Sequence, residues 1–215
     1  ILTGHYGTGK TEVSVNLALA LAAEGEQVML ADLDIVNPYF RSRERRPLLE
    51  KAGVRVISSS QACSDADVPA LPAELLTILE NREIRGILDI GGDPVGARVL
   101  ARFQPKIVQE DYQLIFVLNA NRPEVRDAES AAAYLRSIEA VTGLTCSGLV
   151  NNTHLCGETT PAEIRKGVAL AQEVSRQTGI PILCHTAERR FLESLSDLGE
   201  PVFPIAINMK KPWER

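Results

Sequence analysis

The most informative stretch of this sequence is Gly4-His5-Tyr6-Gly7-Thr8-Gly9-Lys10-Thr11, which fits the pattern G-x-x-x-x-G-K-[ST]. An apolar run at residues 1–3 precedes it and a helical pattern at 12–24 follows it. Glycines let such a loop wrap around phosphates with its N–H groups pointing inward, and the following helix adds its positive end. We therefore predict that residues 4–11 bind the phosphates of a nucleotide. Lys10 should reach the β- and γ-phosphates, and the Thr11 hydroxyl should ligate Mg²⁺.

The rest of the chain alternates short apolar runs with helical patterns. Continuous apolar runs are typical of parallel strands that are covered on both faces. The runs lie at 1–3, 27–34, 54–57, 86–89, 114–118, 148–150, 181–183 and 202–207. The helical patterns lie at 12–24, 72–81, 95–109, 127–141, 161–178 and 188–198, and 58–71 is irregular. This alternation predicts an α/β fold with three layers, a mostly parallel central sheet with helices on both faces.

Length and composition restrict the class of protein. A chain of 215 residues, 45% of them hydrophobic, is expected to form a single nucleotide-binding domain over 1–215. The net charge of −5 argues against a dedicated nucleic-acid binder. No apolar run is long enough to span a bilayer, and no signal peptide is expected. The four cysteines form no C-x-x-C pair and are expected to be reduced, so we predict a cytoplasmic protein.

A carboxylate for the metal is expected at the end of the 86–89 strand. Polar groups follow each apolar run, and ligands of open parallel sheets bind at that edge. Asp89 ends its run and is predicted to hold Mg²⁺ through water. Gly91 and Gly92 follow, and the N–H of Gly92 is predicted to contact a γ-phosphate and to change conformation when that phosphate leaves.

Asp32 and Asp34 form a second acidic pair at a strand end. They share one face of the strand, so their charges repel unless a cation lies nearby. Asp34, further out, is the candidate that orients and deprotonates the attacking water. Asp32 is expected to lie closer to the water shell of the metal.

Three stretches resemble the ParA/MinD-type P-loop ATPases, which are relatives of the nitrogenase iron protein. They are GHYGTGKTEVSVNLALALAAEGEQVMLADLDIVNPYF at 4–40, NRPEVRDAESAAAYL at 121–135 and GLVNNTH at 148–154. The resemblance implies a loop, a helix and a D-x-D strand at this spacing, with Mg²⁺ and ATP bound and ATP hydrolysed slowly. It also implies an adenine-reading Asn, a role assigned to Asn152 with Asn151 as the alternative.

The sequence departs from this family at the start of the loop. Many members carry a signature Lys there, which crosses a nucleotide-sandwich dimer to the phosphates of the partner. His5 occupies that position here, and imidazole is a weaker, pH-dependent cation. The nucleotide-dependent homodimer that the resemblance implies therefore depends on what replaces the lysine. The segment after Asp89, Ile-Gly-Gly-Asp-Pro, also departs from the more usual Thr-Pro-x-Gly.

Three weaker patterns have structural interpretations as well as functional ones. The cluster of Arg41, Arg43, Arg45 and Arg46 favours a solvated helix face, with a partner surface or a nucleic-acid contact as the alternatives. His154, Cys156, Cys184 and His185 follow two neighbouring strands and could suit Zn²⁺, although ordinary semi-buried residues are favoured. The tail at 209–215 is too short for a membrane helix and is expected to dock on the domain.

The sequence therefore predicts a cytoplasmic ATPase that cycles between ATP and ADP and acts as a switch on an unidentified protein client, with loops at 34–40 and 91–94 reporting the nucleotide. Two alternatives remain. One is a metal-insertion or maturation NTPase, and the other is a small-molecule kinase or ATP-dependent ligase on the same fold. Adenine is favoured over guanine because residues 151–154 lack the Lys and Asp of N-K-x-D.

Overall fold

Eight parallel strands form one sheet at the centre of the molecule. The structure is a computed structural model, and it describes residues 1–34, 41–58 and 74–209. The strands are β1 (Leu2–Thr3), β2 (Gln27–Asp32), β3 (Arg55–Ser58), β4 (Ile84–Asp89), β5 (Leu114–Leu118), β6 (Cys146–Asn151), β7 (Ile182–Glu188) and β8 (Val202–Ile205). Their order is β3-β2-β4-β1-β5-β6-β7-β8, and every pairing is parallel. The predicted α/β class is confirmed.

Helices cover both faces of this sheet, which gives three layers. They are α1 (Lys10–Ala23), α2 (Arg46–Lys51), α3 (Glu74–Glu80), α4 (Pro94–Ala97), α5 (Gln104–Ile107), α6 (Ala128–Thr142) and α7 (Pro161–Thr178). Alternate strand residues point to opposite faces of the sheet, so each strand contributes side chains to two hydrophobic cores. Val28 and Leu30 pack with α1, whereas Met29 and Ala31 pack in the core that contains residues of α6 and α7.

The position of β1 places the phosphate-binding loop at the middle of one sheet edge. β1 pairs with β4 on one side and with β5 on the other, so the loops after all three strands emerge side by side. The carboxyl edge of an open parallel sheet at such a point is where ligands bind. A cavity of about 640 Å³ lies at the opposite edge, lined by residues such as Ile84, Gln113 and Tyr112, and is remote from this loop.

The predicted helix at 95–109 is wrong as a continuous element. The segment contains α4, a 3₁₀ turn at Arg98–Arg102 and α5. Pro105 has no N–H and its ring clashes with the preceding turn, so an α-helix cannot run through it. Phe103, next to the break, packs against the core.

The predicted helix at 188–198 is also wrong. β7 continues to Glu188, which pairs with Ile205 of β8, and two 3₁₀ turns follow at Arg189–Phe191 and Glu193–Leu195. The Ser194 and Ser196 hydroxyls donate to carbonyls three residues back, at 2.7 and 2.8 Å, and such local bonds favour turns over a helix.

Some predictions lie wholly or partly outside the described residues. They concern the switch loop at 35–40, the irregular segment at 59–71, the first turn of the 72–81 helix and the tail at 210–215. Within the described ranges, the structure contains no helix that is both long and apolar enough to cross a membrane.

Candidate nucleotide-binding site

The phosphate-binding loop depends on three glycines with positive φ. Gly4, Gly7 and Gly9 have φ angles of 140°, 76° and 84°, which side-chain-bearing residues rarely adopt. Gly9 is the residue before α1, and a Cβ there would lie 2.2 Å from Nδ2 of Asn152. The loop is therefore packed against neighbouring strand ends as well as bent, and both constraints require glycine.

Lys10 is buried at the first position of α1 and faces three carboxylates. Its Nζ donates to the His5 carbonyl at 3.3 Å. Burial lowers the pKa of Lys10, and the charges of Asp89, Asp34 and Asp93 oppose that shift. A buried cation that is surrounded by acids in this way is positioned to exchange one anionic partner for a phosphate.

Asp89 has the properties expected of a metal-holding carboxylate. It is 1% exposed, and its Oδ1 has no hydrogen-bond partner among the described residues. Burial and, to a smaller extent, the charge of Asp32 raise the pKa of Asp89 to about 7, even though Lys10 and a hydrogen bond with Thr11 lower it. A cation would relieve this desolvation, and Mg²⁺ bound with a nucleotide needs only one or two protein carboxylates besides phosphates and waters. Asp89 and Thr11 therefore fit the ion.

Because the pKa of Asp89 is raised in the folded state, replacing Asp89 should change how the free energy of unfolding depends on pH. The folded state keeps the Asp89 proton up to about pH 7, whereas the unfolded state loses it near pH 4, so its contribution to the free energy of unfolding falls as pH rises between these values. We expect the melting temperature of Asp89→Asn to exceed that of the wild type by an amount that grows by several °C from pH 5 to pH 8. Thermal unfolding without nucleotide measures this, and a difference that does not change with pH would contradict the assignment.

The two acids after β2 have different surroundings. Asp32 is buried and lies 3.8 Å from the Arg41 guanidinium and 4.0 Å from that of Arg43. Burial raises the pKa of Asp32, and both arginines lower it. Asp34 donates its backbone N–H to Asp32 Oδ1 at 3.3 Å, and its own Oδ1 lies 3.5 Å from where a Cβ on Gly91 would be. Asp34 therefore faces the segment after β4, while Asp32 anchors residues 41–43. The predicted roles of Asp34 with the attacking water and of Asp32 near the water shell of the metal stay predictions.

The arginine pair on Asp32 changes the interpretation of the basic cluster. The predicted solvated face is wrong for Arg41, which is 6% exposed and directed at Asp32. Arg46 does lie on the surface, where it pairs with Glu50 at 3.1 Å. The cluster therefore ties the segment after the 35–40 loop to the strand that carries the acids.

Gly92 is held between the phosphate-binding loop and α6. A Cβ at this position would lie 2.8 Å from Lys10 Nζ and 2.9 Å from the Tyr6 backbone. The Tyr134 hydroxyl donates to the Gly92 carbonyl. Asp93 then caps α4 by accepting from the Gly96 N–H at 2.5 Å. Gly92 is thus in direct contact with the loop that should carry the γ-phosphate.

Both asparagines at the end of β6 are buried and bonded within the protein. Asn152 donates to the Thr8 carbonyl at 2.8 Å and accepts from the Thr186 hydroxyl at 2.5 Å. Asn151 donates to the Ile164 carbonyl at 3.3 Å and accepts from the Thr153 N–H. Asn152 therefore joins the β6 loop to the phosphate-binding loop, and its predicted contact with adenine stays a prediction.

The four His and Cys residues considered for a metal are not brought together. Cys184 and His185 lie within β7 rather than after it, and His185 is fully buried between Asn151 and Glu200. His154 contacts Cys156, with 3.8 Å between Nδ1 and Sγ. Within the described ranges, no three His, Cys, Asp or Glu side chains form an arrangement that could hold a metal ion.

The structure adds residues to this site that the sequence analysis did not assign. Arg122 donates from Nε to the Gly7 carbonyl at 2.7 Å, and Tyr134 and Thr186 hold Gly92 and Asn152 as described above. Arg122 follows the polar end of β5, so its position after an apolar run was the available signal. Nothing in the sequence pattern points to Tyr134, which lies in the middle of α6.

This geometry agrees with the comparisons with known proteins. The family described as CbiA, the CobQ/CobB/MinD/ParA nucleotide binding domain, matches residues 1–205. The chain therefore belongs to this family of P-loop nucleotide-binding domains.

Among curated relatives, the Cytosolic Fe-S cluster assembly factor cfd1 of Emericella nidulans is 37% identical over 93 residues, which are 43% of this chain and 26% of that protein. Among solved structures, FtsY of Thermotoga maritima superposes with a TM-score of 0.59 at 22% identity, over 86% of this chain and 60% of that one. The Signal Recognition Particle 54 kDa protein of Aeropyrum pernix K1 gives 0.52 at 24%, over 84% and 39%. The chain thus spans only about a quarter of the curated relative, and the solved structures support the fold alone.

Proposed function

We propose that this chain is a single-domain Mg²⁺-dependent ATPase of the ParA/MinD type, which hydrolyses ATP slowly and acts in the cytoplasm as a switch on a protein client. The observation that carries the proposal is the buried Asp89 carboxylate, whose Oδ1 lacks a partner among the described residues while Lys10 and Thr11 lie beside it. Family membership supports nucleotide binding, and the chemistry of these three groups supports a metal-bound triphosphate.

Each group in the proposed reaction has its own part. The loop amides and Lys10 stabilise negative charge on the transferring phosphoryl group. Thr11 and Asp89 would hold Mg²⁺, which would supply further positive charge beside the phosphates. Asp34 orients the attacking water and accepts its proton. Loss of the γ-phosphate frees the N–H of Gly92, and the segment at 91–94 changes conformation with it.

A second candidate function follows from the cfd1 relative, whose name describes assembly of Fe-S clusters. In that case ATP turnover would drive delivery of a metal cargo to a client. Burial raises the pKa of the Cys146 and Cys184 thiols to about 11, so neither supplies a thiolate readily at neutral pH. Titration of the purified protein with Zn²⁺ or Fe²⁺ distinguishes the two, because a stoichiometric site would favour the maturation function.

The proposal is tested by nucleotide binding, phosphate release and size together. We expect Mg²⁺–ATP to bind more tightly than Mg²⁺–GTP and to be hydrolysed without an added acceptor, whereas a kinase or ligase would release little phosphate. Light scattering after size exclusion on Asp34→Ala, with Mg²⁺–ATP and then Mg²⁺–ADP, reports whether a dimer forms with ATP alone. Failure of the wild-type protein to bind any nucleoside triphosphate would overturn the proposal.

A further inference from the structure

The loop after β5 carries a guanidinium that lies against the phosphate-binding loop. Arg122 Nε donates to the Gly7 carbonyl at 2.7 Å, and Arg122 Cζ lies 2.7 Å from where a Cβ on Gly7 would be. Any side chain at position 7 would therefore displace the guanidinium. The glycine at this position serves a close approach between two loops 115 residues apart as well as the positive φ of the turn.

The segment that presents Arg122 is tightly built. The Arg122 backbone N–H donates to the Asn119 carbonyl at 3.0 Å, and the side chain of the buried Asn119 accepts from the Asn121 N–H at 3.0 Å. The Ala120 N–H donates to the Thr153 hydroxyl at 2.9 Å, which fixes this loop to the β6 loop. Arg122 is therefore a partly buried cation on a fixed support.

The charge of Arg122 has no acidic partner in the described part of the chain. No carboxylate of the described residues forms an ion pair with it, and among those residues only its Nε makes a hydrogen bond. A guanidinium has five N–H donors, so four stay available. The Arg122 charge also acts on His154. Burial and, to a smaller extent, this charge lower the pKa of His154 to about 4.

His5 does not supply a second cation directed outward from the loop. Its Nδ1 lies 3.1 Å from the Tyr6 carbonyl and 3.8 Å from a Glu124 carboxylate oxygen, and its ring packs edge-on against Tyr134 at 5.0 Å. The side chain is thus directed at residues of its own chain.

We propose that Arg122 is a phosphate-binding residue that contacts the β- or γ-phosphate of a nucleoside triphosphate from within the same chain. A planar guanidinium with four N–H donors that make no hydrogen bond to a described residue suits phosphate oxygens, and the N–H bond to the Gly7 carbonyl holds it against the loop that binds them. This inference rests on the proposed function. It adds that the cationic charge around the phosphates is complete in one chain, so that turnover per chain does not depend on protein concentration.

The test compares Arg122→Gln with Arg126→Gln. Glutamine can still donate to the Gly7 carbonyl but has no charge, and Arg126 is an exposed arginine of the same segment that lies beside Asp127. We expect Arg122→Gln to lower kcat/KM for ATP by about 10- to 100-fold, which corresponds to the free energy that a hydrogen bond to a charged group contributes. Arg126→Gln should match the wild type.

Comparing ATP with AMP distinguishes a direct contact between Arg122 and the terminal phosphates from a purely structural role of Arg122 in holding the loop. If Arg122 contacts the terminal phosphates, Arg122→Gln should weaken binding of ATP far more than of AMP, with an unchanged melting temperature. Arg122→Lys, which keeps the charge, should recover part of the loss. An equal loss for ATP and AMP together with a lower melting temperature would overturn the contact in favour of a bracing role, and unchanged kinetics would overturn the inference outright.

Failure of this inference is distinguishable from failure of the proposed function. The wild-type protein is measured first, and absence of any ATP binding by it refutes the function itself. If the wild type turns over ATP but specific activity rises steeply with protein concentration and falls to zero at high dilution, the site is completed by a second chain, and the claim that the cationic charge is complete in one chain is refuted.

Discussion

Lys10→Ala is expected to abolish productive nucleotide turnover, with kcat/KM for ATP reduced by at least about 100- to 1000-fold. The ammonium is buried at the start of α1, donates to the His5 carbonyl, and lies near Asp89, Asp34 and Asp93. Without it, three carboxylates would face an incoming triphosphate, so charge repulsion would oppose binding as well as reaction. Phosphate release and the affinity for a fluorescent ATP analogue measure the two effects.

The matched control is Lys51→Ala, which removes an exposed lysine at the end of α2. It should have wild-type turnover and affinity. If Lys10→Ala retained more than about a tenth of the wild-type kcat/KM, the loop would not be acting as a phosphate-binding loop.

Asp34→Ala is expected to keep ATP binding and lose hydrolysis, with kcat lowered by about 10²- to 10⁴-fold, the usual contribution of a positioned general base. Asp34 faces Gly91 and lies close enough to Lys10 for its charge to oppose the lowering of the lysine pKa, so its carboxylate lies near both the phosphate-binding loop and the segment after β4. Single-turnover phosphate release and equilibrium ATP binding separate chemistry from affinity.

Asp111→Ala is the control for this variant, because Asp111 is an exposed acid beside the cavity at the opposite edge of the sheet. Wild-type turnover by Asp34→Ala would remove Asp34 from the mechanism. An equal loss of binding and turnover would instead assign it to the coordination of Mg²⁺–ATP.

The sheet could be predicted from sequence because burial on both faces leaves a signal in each strand. The runs at 114–118 and 148–150 are apolar without alternation, and the structure places both strands between two layers of helices. The helices expected at 95–109 and 188–198 were harder to predict. Apolar spacing at 95–109 looked helical, but Pro105 divides the segment, and the spacing at 188–198 arises from 3₁₀ turns.

Some residues of the candidate site could likewise be predicted from sequence, and others could not. Lys10, Asp34 and Asp89 could be assigned because their roles require fixed residue types at strand ends or in a local motif. The contacts of Arg122 with Gly7 and of Asn152 with Thr8 join residues 115 and 144 positions apart. No local pattern encodes such a contact, since it depends on which strands become neighbours. Tyr134 was missed for the same reason, because its hydroxyl reaches Gly92 from the adjacent layer.

The place of β1 in the sheet also constrains the order in which the chain folds during synthesis. β1 is synthesised before its partners, which are Asp89 of β4 and Ile115 and Phe116 of β5. Contacts over such separations form late because the loops that they close are costly in entropy. The phosphate-binding loop is therefore fixed in place only after residues 114–118 have been synthesised, and a bound nucleotide can stabilise only folding intermediates in which β5 has already docked.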